Sequence, residues 1–166
     1  LTYTGSATAS LSGLSHLEGE TVSAYCNGYE GVVEDPVSSG AITLQQTTTK
    51  AHVGLPYTAV LKTMPIDMNG PGGSIHGSLI RAWKSTIRFY RSALAKVGYS
   101  TEDSNIVENF GDNYVMGGAI PLKSELKEVP YDHGGELEIA TYVEQTQPAP
   151  MTILAVGTKV LVDDDR

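Results

Sequence analysis

The four histidines of this 166-residue chain, at positions 16, 52, 76 and 133, are where metal or acid–base chemistry would be sought first. No two of them have the i, i+4 spacing of a helix-borne zinc site, and no cysteine cluster supplements them. In the string His16-Leu17-Glu18-Gly19-Glu20, a strand would place His16, Glu18 and Glu20 on one face, a pattern able to hold a metal. A polar face beside a turn is the commoner origin of such a string. His52 adjoins Val53 in an apolar run, which predicts a hydrogen-bonded structural histidine. Asp132, His133, Glu136 and Glu138 form an acid–base grouping, but paired carboxylates act only at a separation that the fold must set. Cys26 stands alone, so it forms no intrachain disulfide or CxxC motif, and no cation adjoins it to favour the thiolate. There is no Gly-x-Ser-x-Gly elbow, and Gly77-Ser78 lacks the lysine of a phosphate-binding loop. Nine tyrosines and a single tryptophan could stack on a sugar, although aromatics spread singly along strands more often form core and cross-strand pairs. These residues single out no catalytic set, cofactor site or metal site, and no cofactor is expected.

The elements that would carry these residues read as strands. Thr21-Val22-Ser23-Ala24-Tyr25 is β-branched and aromatic and runs into Asn27-Gly28, a strong hairpin-turn signal. Ser38-Ser39-Gly40 punctuates the chain before Ala41-Ile42-Thr43-Leu44. From Lys50 to Met64 apolar residues recur with period two, and Pro56 within this run predicts an edge or a bend. Residues 67–78 hold four glycines and a proline, which predicts a loop without regular structure. Residues 81–97 fit two periods. Trp83, Ile87, Tyr90, Leu94 and Val97 suit a helix, whereas Trp83, Ser85, Ile87 and Phe89 alternate with Lys84, Thr86 and Arg88 as in a strand. The β-branched and aromatic content favours a strand over 82–92, with Trp83, Ile87 and Phe89 opposite a solvated basic face of Arg81, Lys84, Arg88, Arg91 and Lys96. At the end, Met151–Val156 and Lys159–Val162 predict an antiparallel hairpin that turns at Gly157.

The composition agrees. Charged residues make up 18% and glycine 18 residues in all, a low-charge, turn-rich balance that fits strands better than a helical bundle. Apolar residues, at 40%, are too many and too evenly spread for disorder. A net charge of −8 gives the whole chain no basic footprint for nucleic acid. No apolar run approaches a membrane span. The predicted architecture is all-β and antiparallel, a barrel or sandwich of short strands with room for a second small β subdomain. Its expected division is a first half at 1–66, a Gly-rich loop at 67–80 and a second half at 81–166.

Several strings carry a family resemblance. They are Leu14-Ser15-His16-Leu17-Glu18-Gly19-Glu20-Thr21-Val22-Ser23, then Ser39-Gly40-Ala41-Ile42-Thr43-Leu44, then His52-Val53-Gly54-Leu55-Pro56-Tyr57-Thr58-Ala59-Val60-Leu61-Lys62-Thr63-Met64-Pro65, and finally Gln145-Thr146-Gln147-Pro148-Ala149-Pro150-Met151-Thr152-Ile153-Leu154-Ala155-Val156. In this order they resemble the carboxy-terminal part of tail proteins of tailed bacteriophages and prophages, the tail-nozzle or tube-like virion proteins of short-tailed phages. The resemblance spans roughly residues 10 to 157. It implies one domain of a longer structural virion protein, located in the phage tail and without enzyme activity. It also implies a ring of identical subunits, contacts with other tail proteins, and DNA as a passing cargo without sequence readout. A net negative charge suits such a conduit. On this reading Asn69, Gly70, Gly72, Gly73 and His76 would form an inter-subunit or channel-facing loop. The alternative is a tail-tip module that binds a host surface or carbohydrate, marked by Tyr and Trp exposed together on one face. A third reading, an envelope hydrolase, would draw on Glu18, Glu20, Asp132 and Glu136.

Overall fold

A computed structural model of the chain describes residues 1–70, 73–75, 78–100, 104–108, 119–130 and 137–163. Among them there is no α-helix, only a 3-10 turn at Ser15–Leu17, and every strand pairing is antiparallel. The chain forms two compact units. The first takes Leu1–Thr58, Phe110–Pro121 and Thr146–Pro150; the second takes Ala59–Asn109, Leu122–Gln145 and Met151–Arg166. The first stretch of the first unit thus ends at Thr58, inside the period-two run, where the expected first half ran to residue 66, and two later segments also belong to that unit. The run itself is two strands in two different sheets, separated by Leu55-Pro56-Tyr57-Thr58. Pro56 has no N–H to donate, so the ladder stops before it.

The first unit is a single four-stranded sheet. Strands β1 (Thr2–Ser12), β2 (Ser23–Cys26), β3 (Tyr29–Gly31) and β4 (Ala41–Gly54) lie in the order β1-β4-β2-β3. The β2–β3 turn is the predicted Asn27-Gly28, and both residues have positive φ, 49° and 92°, as a primed two-residue turn requires. Asn27 Oδ1 also accepts the Lys50 N–H at 3.0 Å and the Thr49 hydroxyl at 3.0 Å, tying the turn to β4. One core forms from Leu11, Leu14, Val22, Ala24, Cys26, Val37, Ile42, Leu44, Ala51 and Val53, so the coil at 13–22 and 32–40 closes over the sheet face.

Among the described residues the second unit has two sheets of three and four strands, besides a two-residue ladder. Strands β5 (Ala59–Lys62), β9 (Leu94–Gly98), β10 (Ser104–Glu108) and β12 (Tyr142–Gln145) form one, in the order β10-β9-β12-β5. Strands β8 (Leu79–Phe89), β11 (Leu126–Pro130) and β13 (Ile153–Asp163) form the other, in the order β11-β8-β13. Ile87 and Phe89 of β8 and Val129 of β11 share a core with Ala95 and Val97 of β9 and Val143 of β12. Two sheets therefore face each other as a sandwich, and among the described residues none closes into a barrel. A second cluster, Ile75, Ile80, Ala82 and Ile139, extends the core. Between the clusters Ser85, Thr141 and Thr158 join their hydroxyls in a triangle with sides of 3.0, 3.1 and 2.6 Å, which satisfies groups that burial would otherwise penalise.

The ambiguous segment at 82–92 is strand as far as Phe89. The expected closing hairpin is instead one continuous strand, β13, in which Gly157 pairs with Thr86 in mid-ladder. Ten residue pairs on one long neighbour keep it in a single ladder, so no turn is needed there. The Gly-rich stretch also gains some order. Asn69–Gly70 (β6) and Gly73–Ser74 (β7) form a two-residue ladder, and Ile75 is buried in the second cluster.

Candidate functional site

The solvent face of the β11-β8-β13 sheet collects the chain's tryptophan and several of its cations. On β8, Ile80 and Ala82 point inward, and so do Ser85, Ile87 and Phe89. An even spacing followed by an odd one needs an extra residue. The β8–β13 register supplies it: Lys84 faces Lys159, Ala82 faces Val160, and Trp83 has no partner. This β-bulge turns both Trp83 and Lys84 outward. Simple alternation places Trp83 inside with Ile87 and Phe89; the bulge reverses that, and Trp83 is 44% exposed. The hydroxyl triangle lies directly beside the bulge, since Ser85 and Thr158 are cross-strand partners next to it.

Cations surround the indole. Lys84 Nζ lies 4.9 Å from the Trp83 ring centroid and Lys159 Nζ lies 5.6 Å from it, both within cation–π range. Lys84 also binds Glu128 of β11 at 2.6 Å. Their hydrogen bond raises the Lys84 pKa and lowers that of Glu128, so Glu128 stays ionised and cannot act as a general acid near neutral pH. Further along the face, Thr86 is flanked by Gly157 on β13 and by Glu128 on β11, and Arg88 by Leu126 and Ala155. Arg81 lies at the opposite end, beside Leu161. Tyr90, which follows the inward Phe89, is 48% exposed. The result is a shallow platform with an aromatic and cationic end, a low middle and a second cationic end about 13 Å away, four residues along the strand.

The residues picked out by sequence have other roles. Glu18 is a turn anchor: its carboxylate accepts the N–H groups of Ser39 and Gly40, each at 2.7 Å, where φ is 53° and 67°. His16 is exposed on the 3-10 turn, and no group of three metal-ligating side chains occurs among the described residues. His52 is exposed, with Nδ1 3.1 Å from the Thr2 hydroxyl. Cys26 is buried, and burial raises its thiol pKa, as a small core residue's would be. Asn69 is exposed and pairs with Ser74, and Gly70 pairs with Gly73. Gly72, His76, Asp132, His133 and Glu136 lie outside the described residues. A cleft of about 630 Å³ in the first unit is lined by residues 21–23 and 30–36, including Glu30, Glu34 and Asp35.

Comparison of the chain with protein-family models and with curated proteins gave no match. The residues themselves therefore carry the functional argument. Sequence reasoning found Arg81, Lys84 and Arg88 as a solvated face but missed Trp83, Gly157 and Lys159 as their neighbours. Trp83 gave one signal, its place directly beside Lys84 with small polar Ser85 following at an inward position. For Lys159 there was none, since only the β8–β13 pairing brings it to the indole.

Proposed function

We propose that this chain is a structural, non-catalytic β module of a bacteriophage tail, assembled in the virion as a ring of identical subunits that contacts other tail proteins and lets DNA pass. The motif strings of the resemblance support this reading, and so does the number of open sheet edges. The observation that carries it is β5, the edge strand of its sheet. Val60 and Leu61 point to opposite faces and are 50% and 42% exposed, whereas the neighbouring Val143 is fully buried. An apolar run on both faces is the mark of a strand covered on both sides. An open edge also offers unpaired backbone groups to another chain. Homologous subunits in a ring supply both kinds of cover.

The test is electron microscopy and native mass spectrometry of the full-length parent protein, with and without Val60→Lys plus Leu61→Glu. Rings in the wild type, dispersed by the double variant, support the reading. A monomeric parent that is missing from purified virions overturns it.

A second reading, recognition of a host surface or carbohydrate, is favoured by a specific observation: Trp83 is exposed on the outer side of β8, beside Lys84 and Lys159.

A further inference from the structure

We infer that the outer face of the β11-β8-β13 sheet binds an acidic glycan, with a sugar ring stacked on Trp83 and its carboxylate held by Lys84 and Lys159. This rests on the second reading above and names the ligand class and the residues.

Three features converge. The bulge costs β8 a regular ladder position and brings Trp83 out into water, where its apolar rings would ordinarily be disfavoured. Bulges that re-aim a side chain are typical beside binding sites. The indole offers a flat apolar face to the C–H side of a sugar ring, and the two ammonium groups beside it offer charge to a carboxylate.

Gly157 is the second feature. A Cβ added there would meet only the Thr86 carbonyl oxygen, at 3.9 Å, so neither packing nor backbone conformation demands glycine. Glycine inside a strand weakens it, and often marks the close approach of a ligand. Here it lowers the platform next to Thr86, between the Trp83 end and Arg88. An extended chain of sugars lying along β8 would cross this low middle and meet Arg88 at the far end.

Charge selects among occupants. Arg81, Lys84, Arg88 and Lys159 stand on one face of a chain whose net charge is −8, so the face complements an anion while the rest of the chain repels one. A nucleic acid, with a phosphate at every nucleotide, would meet that repulsion along its whole length. A glycan with a uronate only on alternate sugars carries its charges sparsely and keeps apolar C–H faces for stacking. Glu128, already paired with Lys84, would accept sugar hydroxyls.

The sole tryptophan reports on the site directly. The full chain would be titrated with a hyaluronan oligosaccharide, its methyl ester, neutral maltohexaose and oligodeoxythymidylate, followed by tryptophan fluorescence and calorimetry. A saturable fluorescence change with the hyaluronan oligosaccharide is expected, with affinity about tenfold lower for the methyl ester and falling with salt. Gly157→Thr should weaken binding about tenfold while Tm holds or rises, because threonine favours strands and the added Cβ has room. Lys159→Glu should weaken it at least as much. Equal affinity for the methyl ester or maltohexaose would overturn the acidic assignment but leave carbohydrate recognition standing. Tighter binding of oligodeoxythymidylate or no binding of any glycan would overturn both, and an unaffected Gly157→Thr variant would overturn the site assigned here.

Discussion

The two units solve the same problem, burying strands with few charges, in different ways. The first has one sheet and covers its inner face with coil, so its order depends on turns fixed by side chains such as Glu18 and Asn27. The second packs sheet on sheet, and apolar residues from both sheets meet in a common core. A sheet covered by coil spends its polar side chains on holding loops. A sheet covered by another sheet leaves its outer face free for other work. The Trp83 platform is on such a face, whereas in the first unit Glu18 and Asn27 are absorbed in turns.

That contrast can be broken most directly in the cores. Phe89→Ala should cost about 3–5 kcal/mol and Leu14→Ala about 2–5 kcal/mol, since both side chains are essentially fully buried. Amide hydrogen exchange would locate the loss, with Phe89→Ala accelerating exchange in β8, β9 and β12, and Leu14→Ala in β1 and β4. Exchange rising equally everywhere after either change would abolish the distinction between the units.

Next in size is the hydroxyl triangle. Thr141→Val should cost about 1–3 kcal/mol, because Ser85 and Thr158 lose a buried partner. Replacing all three by Ala, Val and Val should cost less than the sum of the single changes. If the triangle positions the bulge, Thr141→Val also shifts the Trp83 emission maximum; an unchanged spectrum would separate the two.

The turn anchors of the first unit come third. Glu18→Ala removes two hydrogen bonds to the amides of Ser39 and Gly40 and should lower stability by about 1–2 kcal/mol, read from urea denaturation. Because Ser39 adopts positive φ, Ser39→Gly should recover part of that loss. No recovery would mean that the carboxylate acts through charge and not through turn geometry.

The smallest effect is expected from the Lys84–Glu128 pair, which is exposed to solvent and screened by salt. Its glutamate pKa is lowered on folding, so its contribution is complete above the ordinary glutamate pKa and disappears as pH falls through the lowered value. The lysine pKa is raised, so the pair also weakens when pH climbs past the ordinary lysine value and through the raised one. Thermal melts of wild type and Glu128→Gln should differ slightly at neutral pH and low salt and converge in acid. A difference that persists in strong acid would assign the effect to packing.

Much of the local structure was legible from residue types. Asn27-Gly28 made its turn because both residues tolerate positive φ, and Ser39-Gly40 marked another break. The alternation of Ile87 and Phe89 with Thr86 and Arg88 placed a strand where a helix also fitted. Cys26 was read as a small core residue and is one. The site was less legible. Gly157 looked like a turn because local sequence cannot tell a glycine that bends a strand from one that leaves room above it. Trp83 looked like core because a bulge is a property of two strands in register, and one strand alone shows only its own period.

The low charge and the abundance of Gly, Thr and Tyr thus determined the class, all-β, and where several of its turns fall, since φ preferences and side-chain alternation act over a few residues. Only the tertiary structure decided which strands pair, where one apolar run is divided between two sheets, and that Trp83, Lys84, Lys159 and Glu128 meet. Those choices depend on register between strands some seventy positions apart in the sequence, as Lys84 and Lys159 are, and no short-range preference encodes them.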